Sequence, residues 1–357
     1  MITTTTRQHQ LRQHLSGRVT ARAAGSVEHQ AALAARLTAR DKWLLGLLFE
    51  HRVLTSAQIQ DAAFPSSRST RQRLRELYLW RAVSRFQPFR PLGSAPMHYV
   101  LGPAGAAVLA AEHGLEVKDL GYRHDRAMAI AHNQRLAHTI GVGDFFTSLI
   151  ARSRRDPGRS GEGVTAWWSE SRCARHFGDL VIPDAYGRWH SAAAELEFFL
   201  EYDTGSESLT KVARKLLAYA RLADSTGIAT PVLFWLPTSR REVGARSALA
   251  RIHADLDQSA DVPVATAAGD LLNPDAACPS PADEVWLPLS AKPPKQTSPR
   301  YGLGELTAAW PALTPAAAPD VDDGIASTSG QAVAYRLPPP APRPPDASPS
   351  RTRRPGP

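Results

Sequence analysis

The sequence predicts an α/β fold class: a block of short helices ending in a hairpin, then an α/β sandwich, with disordered termini. Three observations carry that expectation. Residues 39–115 place short amphipathic helical runs ahead of two short β-patterned runs. Residues 125–290 alternate helical and strand periodicity, as helices packed on a mixed sheet do. The two ends are poor in large apolar residues: 1–38 is a basic arm rich in Thr, Gln and Arg, and 291–357 is Pro-rich. Such segments bury too little apolar surface to offset their ordering entropy.

Lys and Arg number 42 against 34 Asp and Glu, a formal charge of +8, which favours a polyanionic partner. Two cysteines, Cys173 and Cys278, cannot build a disulfide framework or a zinc finger, and the expected compartment is the cytoplasm. The longest strongly apolar run, Trp43 to Phe49, is far short of the roughly 20 residues of a membrane span. The N-terminus has no apolar signal region. Membrane and secreted classes are therefore set aside. No feature of the sequence fixes an oligomeric state.

Within 39–115, Asp41 is placed to cap a helix presenting Trp43, Leu44, Leu47 and Leu48. Thr55 to Gln58 reads as a capping box opening a second helix that ends at Pro65. A third helix starts at Ser66 or Ser67 and runs to about Trp80. Leu74, Leu77 and Tyr78 share one face; Arg68, Gln72 and Arg75 share another, with Arg71 at its edge. Val83–Phe86 and His98–Leu101 are two strands with a Pro/Gly loop between them. The whole resembles a winged helix-turn-helix, in which the third helix enters the major groove of double-stranded DNA. Arg68, Gln72 and Arg75 would then face base edges, and Arg71, Arg81, Arg85 and Arg90 would meet phosphates.

The second block opens with a long helix from about Arg126 to Ser153. Strands are expected at 166–170, 179–184, 198–203, 231–236 and 262–267, with an edge strand at 284–289; helices are expected at 208–223 and 241–256. Asp184 ends one strand, and Glu201 and Asp203 lie two apart on the next, so they share a face. Carboxylates on neighbouring strands repel unless a cation or proton intervenes. Oxygen-only donors suit Mg²⁺ or Mn²⁺, and Glu170 offers a fourth oxygen donor. Beside a basic DNA-binding block, this points to metal-assisted attack of water on a phosphodiester. His132 and His138 are six apart, not at zinc-pair spacing. His138 reaches the carboxylates only if its helix packs on the sheet face.

Pro183-Asp184 followed by an acidic strand resembles the PD-(D/E)XK nuclease fold. The departure is at Glu201-Tyr202-Asp203, where Asp stands in the usual Lys position. Lys215, which shares a helix face with Lys211 and is followed one turn later by Tyr219, is the candidate replacement. The strings PDAYG and FFLEYDTGSESLTKVARKLLAYARL resemble the replication-relaxation family over roughly residues 40–240. That family joins a winged helix to a nuclease-like domain, is found on plasmids and integrative elements, and is similar in architecture to MobC-type relaxases. The resemblance implies action in replication, DNA relaxation or mobilisation at an origin on double-stranded or nicked DNA. It implies catalytic roles for Asp184, Glu201, Asp203 and Lys215. The enzyme reading is a divalent-metal-dependent nickase. The alternative is a non-catalytic replication initiator or transcriptional regulator with a decayed nuclease fold. The Pro-rich tail is a candidate docking segment for transfer or replication proteins.

Overall fold

The computed structural model describes residues 17–90, 93–155, 161–192, 194–227, 229–256, 262–289, 299–311, 313 and 337–345. The chain is a mixed α/β protein with two sheets. It divides into two units, residues 1–132 with 326–357, and residues 133–325.

In the first unit, Thr20 and Ser26 accept hydrogen bonds from the amides of Ala23 and His29, starting α1 (Ala21–Ala24) and α2 (Val27–Arg36). Leu33 of α2 is buried, the Val19 amide donates to the Leu79 carbonyl, and His29 Nε2 lies 3.1 Å from the Trp80 carbonyl. Residues 17–38, expected to belong to a mobile arm, are thus tied to this unit; 1–16 lie outside the described residues. Helix α3 (Ala39–His51) is capped by Thr38, not by Asp41. Asp41 is its N3 residue and completes a capping box with Thr38.

Strand β1 (Leu54–Thr55) precedes α4 (Ser56–Ala63), opened by the Thr55–Gln58 capping box as expected. Helix α5 (Ser67–Leu79) buries Leu74, Leu77 and Tyr78. Strands β2 (Val83–Phe86) and β3 (His98–Leu101) join β1 in an antiparallel sheet of order β1-β3-β2. Helix α6 (Pro103–Glu112) packs against the 81–82 turn. A Cβ on Gly105 would stand 2.1 Å from the Ala82 carbonyl oxygen, so only glycine admits this approach. Helix α7 (His124–Ala129) and a 3₁₀ turn (Ile130–His132) follow.

Arg73 ties α5 to α3. Its Nε lies 3.0 Å from Asp41 Oδ1 and a terminal nitrogen 2.5 Å from Oδ2; it also reaches Glu76 and the Arg36 carbonyl. Asp41 is 1% exposed. Residues 337–345 also lie in this unit, against α3, where the Trp43 indole N–H donates to the Ala341 carbonyl at 2.6 Å. This corrects the expectation of a disordered 291–357 tail for that segment.

In the second unit, the expected long helix is interrupted. The Asn133 side chain accepts the Arg135 amide in a local turn. Helix α8 (Leu136–Arg155) begins only after it. Strand β4 (Gly163–Ser169) ends where Ser169 caps α9 (Glu170–Phe177), so Glu170 is the first helical residue and not a strand residue. Residues 179–184 are not a strand. The amides of Leu180 and Val181 fold back onto the Phe177 carbonyl, and Pro183 has no N–H to donate. Strand β5 (Ala185–His190) starts just after Asp184.

Strand β6 (Glu195–Tyr202), α10 (Leu209–Thr226), β7 (Val232–Leu236), α11 (Ser239–Ala254), β8 (Val264–Ala268) and the edge strand β9 (Leu287–Pro288) complete a sheet of order β4-β5-β6-β7-β8-β9. It is antiparallel from β4 to β6, parallel from β6 to β8, and antiparallel at β9. Phe145 and Phe146 of α8 fill one face against Trp167, Phe198 and Trp235. A Cβ on Gly187 would stand 2.5 Å from the Phe198 ring, so this glycine admits the aromatic layer. Phe199, Leu216, Tyr219, Phe234 and Leu249 fill the opposite face. Beyond β9, Tyr301 bridges Trp286, and a 3₁₀ segment (Leu303–Ala309) buries Leu303 and Leu306, so this part of the Pro-rich end is also structured. Among the described residues no helix is long and apolar enough to cross a membrane.

The Asp41–Arg73 pair sets a test of stability. Burial raises the Asp41 pKa, but hydrogen bonds from Arg73 and Thr38 outweigh it and the net shift is downward. The pair's contribution is therefore complete above the ordinary carboxylate pKa and lost as pH falls through the lowered one. Asp41→Ala, which leaves Arg73 only Glu76 and the Arg36 carbonyl and also removes the capping box, is expected to cost about 3 kcal/mol at pH 7. In urea unfolding, the gap between wild type and Asp41→Ala narrows below about pH 4. A gap constant from pH 7 to 2.5 would refute this account of Asp41.

Candidate functional site

The carboxylates at the sheet end owe their placement to strand alternation. On β6, Phe198 and Tyr202 face α8: Phe198 stacks on Phe146, and Tyr202 meets His138 edge-on at 6.0 Å. Phe199, Glu201 and Asp203 face α10 and α11: Phe199 lies 5.4 Å from Tyr219, and Asp203 meets Arg241. Ala185 of β5 pairs with Leu200 of β6, which brings Asp184 beside the Glu201–Tyr202 end. Gly141 of α8 lets the Tyr202 ring in; a Cβ there would lie 2.3 Å from it. This close approach carries His138, three residues earlier, to Asp184.

Glu201 is 2% exposed. Its two oxygens accept hydrogen bonds from Lys215 Nζ and the Tyr219 hydroxyl, one turn apart on α10. Asp184 is 6% exposed. Its Oδ2 accepts the Tyr202 amide at 2.9 Å, and His138 Nε2 lies 3.0 Å from the same oxygen. Lys215 Nζ is 3.8 Å from Asp184 Oδ2, so one ammonium faces both buried carboxylates. A terminal nitrogen of Arg135 lies 3.8 Å from Asp184, and another lies 2.7 Å from Glu170.

The electrostatics separate the two acids. Burial, then the Asp184 charge, pushes the Glu201 pKa up to about 7 against the pull of Lys215 and Tyr219. Burial also raises Asp184, but His138 and Lys215 outweigh it and the net shift is downward. Burial disfavours the Lys215 ammonium, yet Glu201 and Asp184 more than compensate and its pKa rises. His138 is likewise raised, because its bond to Asp184 outweighs burial. Buried Tyr219 is held well above its ordinary pKa, so it stays a phenol donating to Glu201. Near neutral pH the site thus holds an ionised Asp184, a charged Lys215 and a Glu201 poised to exchange a proton.

The expected set of Glu170, Asp184, Glu201 and Asp203 does not gather as four metal ligands. Asp203 turns to the Arg241 guanidinium, and its Oδ1 accepts the Gly205 amide at 2.9 Å. The turn at Gly205, with φ of 84°, directs Asp203 into this side-chain-to-backbone bond and away from Glu201's partners. Glu170 reaches Asp184 only through Arg135. Among the described residues no three His, Cys, Asp or Glu side chains form a group that could hold a metal ion. What remains is Asp184 and Glu201 sharing Lys215. Arg135 is not among the residues expected at this site, while His138, expected there only if its helix packs on the sheet face, is brought to Asp184 by that packing. A signal for His138 existed in the sequence: His138, Gly141 and Phe145 lie on one helical stripe, with glycine where a neighbour must come close.

In the first unit, Arg68, Arg71, Gln72 and Arg75 are all exposed on the outer face of α5. Arg81 and Arg85 are half-buried and engaged within the unit. Arg81 Nε donates to the Val19 carbonyl at 2.6 Å, and the Arg85 guanidinium lies 4.2 Å from the Tyr78 ring centroid. Arg90, in the hairpin loop, is exposed.

The family model described as Replication-relaxation matches residues 45–233, more than half of the chain. No curated protein and no solved structure matches it. The matched span runs from α3 into β7 and includes the exposed face of α5, Asp184, Glu201 and Lys215. The chain belongs to the replication-relaxation family.

Proposed function

We propose that this protein acts in replication or DNA relaxation by binding origin DNA through its first unit and nicking it with a metal-assisted site in its second. The observation that carries the reading is the convergence of Asp184 and Glu201 on Lys215. It supports a PD-(D/E)XK-type site whose lysine comes from α10 instead of β6. The order α3-β1-α4-α5-β2-β3, with its β1-β3-β2 sheet, supports the winged-helix reading. In that reading the exposed face of α5 enters the major groove.

Among the described residues two of the expected oxygen donors, Asp184 and Glu201, come together, so a hard divalent ion held here would take its remaining ligands from water or phosphate. Asp184 and Glu201 supply only oxygen donors, and the space they share already accommodates the positive charge of Lys215. Asp184 and Glu201 would hold Mg²⁺ or Mn²⁺, which would supply Lewis-acid charge at a phosphoryl oxygen. Lys215 then holds a proton-donating ammonium against the developing negative charge. Glu201 would be fixed for holding the ion by the Lys215 ammonium and the Tyr219 hydroxyl. His138 fixes the orientation of Asp184, and Arg135, whose side chain is 56% exposed, would meet a phosphate by exchanging its bond to Glu170.

One observation favours the alternative of a non-catalytic initiator or regulator. Asp184 and Glu201 are already balanced by Lys215, His138 and Arg135, and Asp203 stands in the usual lysine position.

Supercoiled plasmid carrying the cognate origin, incubated with Mg²⁺ or Mn²⁺, separates the two. Conversion to open circle is expected from wild type, with a loss of about a hundredfold or more for Asp184→Asn, Glu201→Gln or Lys215→Ala. DNA binding by these variants is retained. Nicking by the variants at the wild-type rate would remove this site from the chemistry, and binding without nicking under any metal favours the initiator.

DNA recognition has its own test. Arg71→Ala is expected to lower the slope of log affinity against log salt by about one, as loss of a single phosphate contact does. Arg75→Ala is expected to cost about 1–3 kcal/mol on the cognate site with little effect on unrelated DNA. Equal losses on cognate and unrelated DNA from Arg75→Ala would take that residue out of base readout.

A further inference from the structure

The segment Leu337–Pro345, LPPPAPRPP, carries six prolines in nine residues. Proline fixes φ near −65° and disfavours helix in the residue before it, so such a run is stiff and extended before it binds anything. It can therefore be held with little further loss of conformational entropy. It offers almost no N–H donors, and recognition must come from donors aimed at its carbonyls and from apolar surface under its rings.

The face of α3 supplies both. The Trp43 indole N–H donates to the Ala341 carbonyl at 2.6 Å. Leu337 is 6% exposed and Pro342 is buried, while Pro338 and Pro339 stay exposed. Trp43, Gly46 and Phe49 of α3, with Leu109 and His113 at α6, line the groove beneath the segment, and a cavity of about 230 Å³ remains there. The seat is incompletely filled, as suits an exchangeable ligand.

Gly46 faces the segment. Glycine inside a helix costs about 0.5–1 kcal/mol relative to alanine. A Cβ on Gly46 would meet one atom within 4 Å, the Pro340 Cβ at 3.7 Å. That is ordinary van der Waals contact, so alanine fits there, while a longer side chain would extend toward Pro340.

We propose that the α3–α6 groove is a binding site for proline-rich peptide, with the chain's own Leu337–Pro345 as its resident ligand, held reversibly in cis. Tethering gives the resident a high effective concentration, so a free peptide competes poorly until the resident is released. This site is separate from the Asp184–Glu201–Lys215 cluster and does not depend on its chemistry.

The probe is a fluorescein-labelled peptide of the Leu337–Pro345 sequence, followed by anisotropy on full-length protein. Wild type is expected to bind it at least about tenfold more weakly than Leu337→Asp, in which an anchor of the resident segment is lost. In the Leu337→Asp background, Gly46→Leu abolishes binding, Gly46→Ala leaves it unchanged, and Trp43→Phe weakens it about fivefold, the effect of one hydrogen bond. Gly46→Leu improves helix propensity, so an unchanged or raised melting temperature excludes misfolding as the cause. Equal binding by wild type and Leu337→Asp, or insensitivity to Gly46→Leu, overturns the proposal. Concentration-dependent self-association of wild type that Leu337→Asp abolishes assigns the segment to a second copy and overturns the cis assignment.

Discussion

Removing a carboxylate from water costs several kcal/mol, and placing two of them at one strand end adds their mutual repulsion. The second unit tolerates this because Lys215 reaches both Asp184 and Glu201 from α10. The surrounding structure follows from that requirement. Tyr219, one turn along α10, occupies the second oxygen of Glu201. Gly141 brings α8 close enough for His138 to share Asp184. The Tyr202 amide completes the set of donors around Asp184. The result is a polar network in which each member restrains the next, and such networks act as units rather than as sums of pairs. It also leaves the two acids unequal, one with its pKa lowered and one with its pKa raised.

Much of this was legible in the residues. Period-two alternation put Glu201 on a buried strand, and helical spacing put Lys215 and Tyr219 on one face of the following helix. The failures have physical causes. Leu180, Val181 and Ile182 look like a strand, yet Leu180 and Ile182 are 38% and 52% exposed because the segment closes the end of α9 and then meets Pro183. Asp203 shares a face with Glu201 by alternation, but the glycine turn after β6 gives it to the Gly205 amide and Arg241. Arg135 and His138 lie 35–49 residues before the acids they contact, a separation that periodicity cannot bridge.

The first unit divides one arginine-rich helix between two tasks. Arg73 points inward to Asp41 and fixes α5 on α3, while Arg68, Arg71 and Arg75 remain in solvent. The sequence shows only a run of similar cations. Their assignment depends on Asp41, the third residue of its helix, which accepts the Thr38 amide and still has both oxygens within reach of Arg73. The helix that presents a basic surface is therefore held by an arginine that takes no part in that surface.

The seating of Leu337–Pro345 on α3 also affects how the chain is made. The ribosome delivers α3 early and its covering segment roughly 290 residues later, an interval of about 15–60 s at typical elongation rates. Throughout that interval Trp43 and Phe49 face the nascent-chain environment without their cover, although the rest of their helix already has its partners. The first unit is therefore assembled from segments far apart in sequence, and the later one is fitted only after the whole of the second unit has been synthesised.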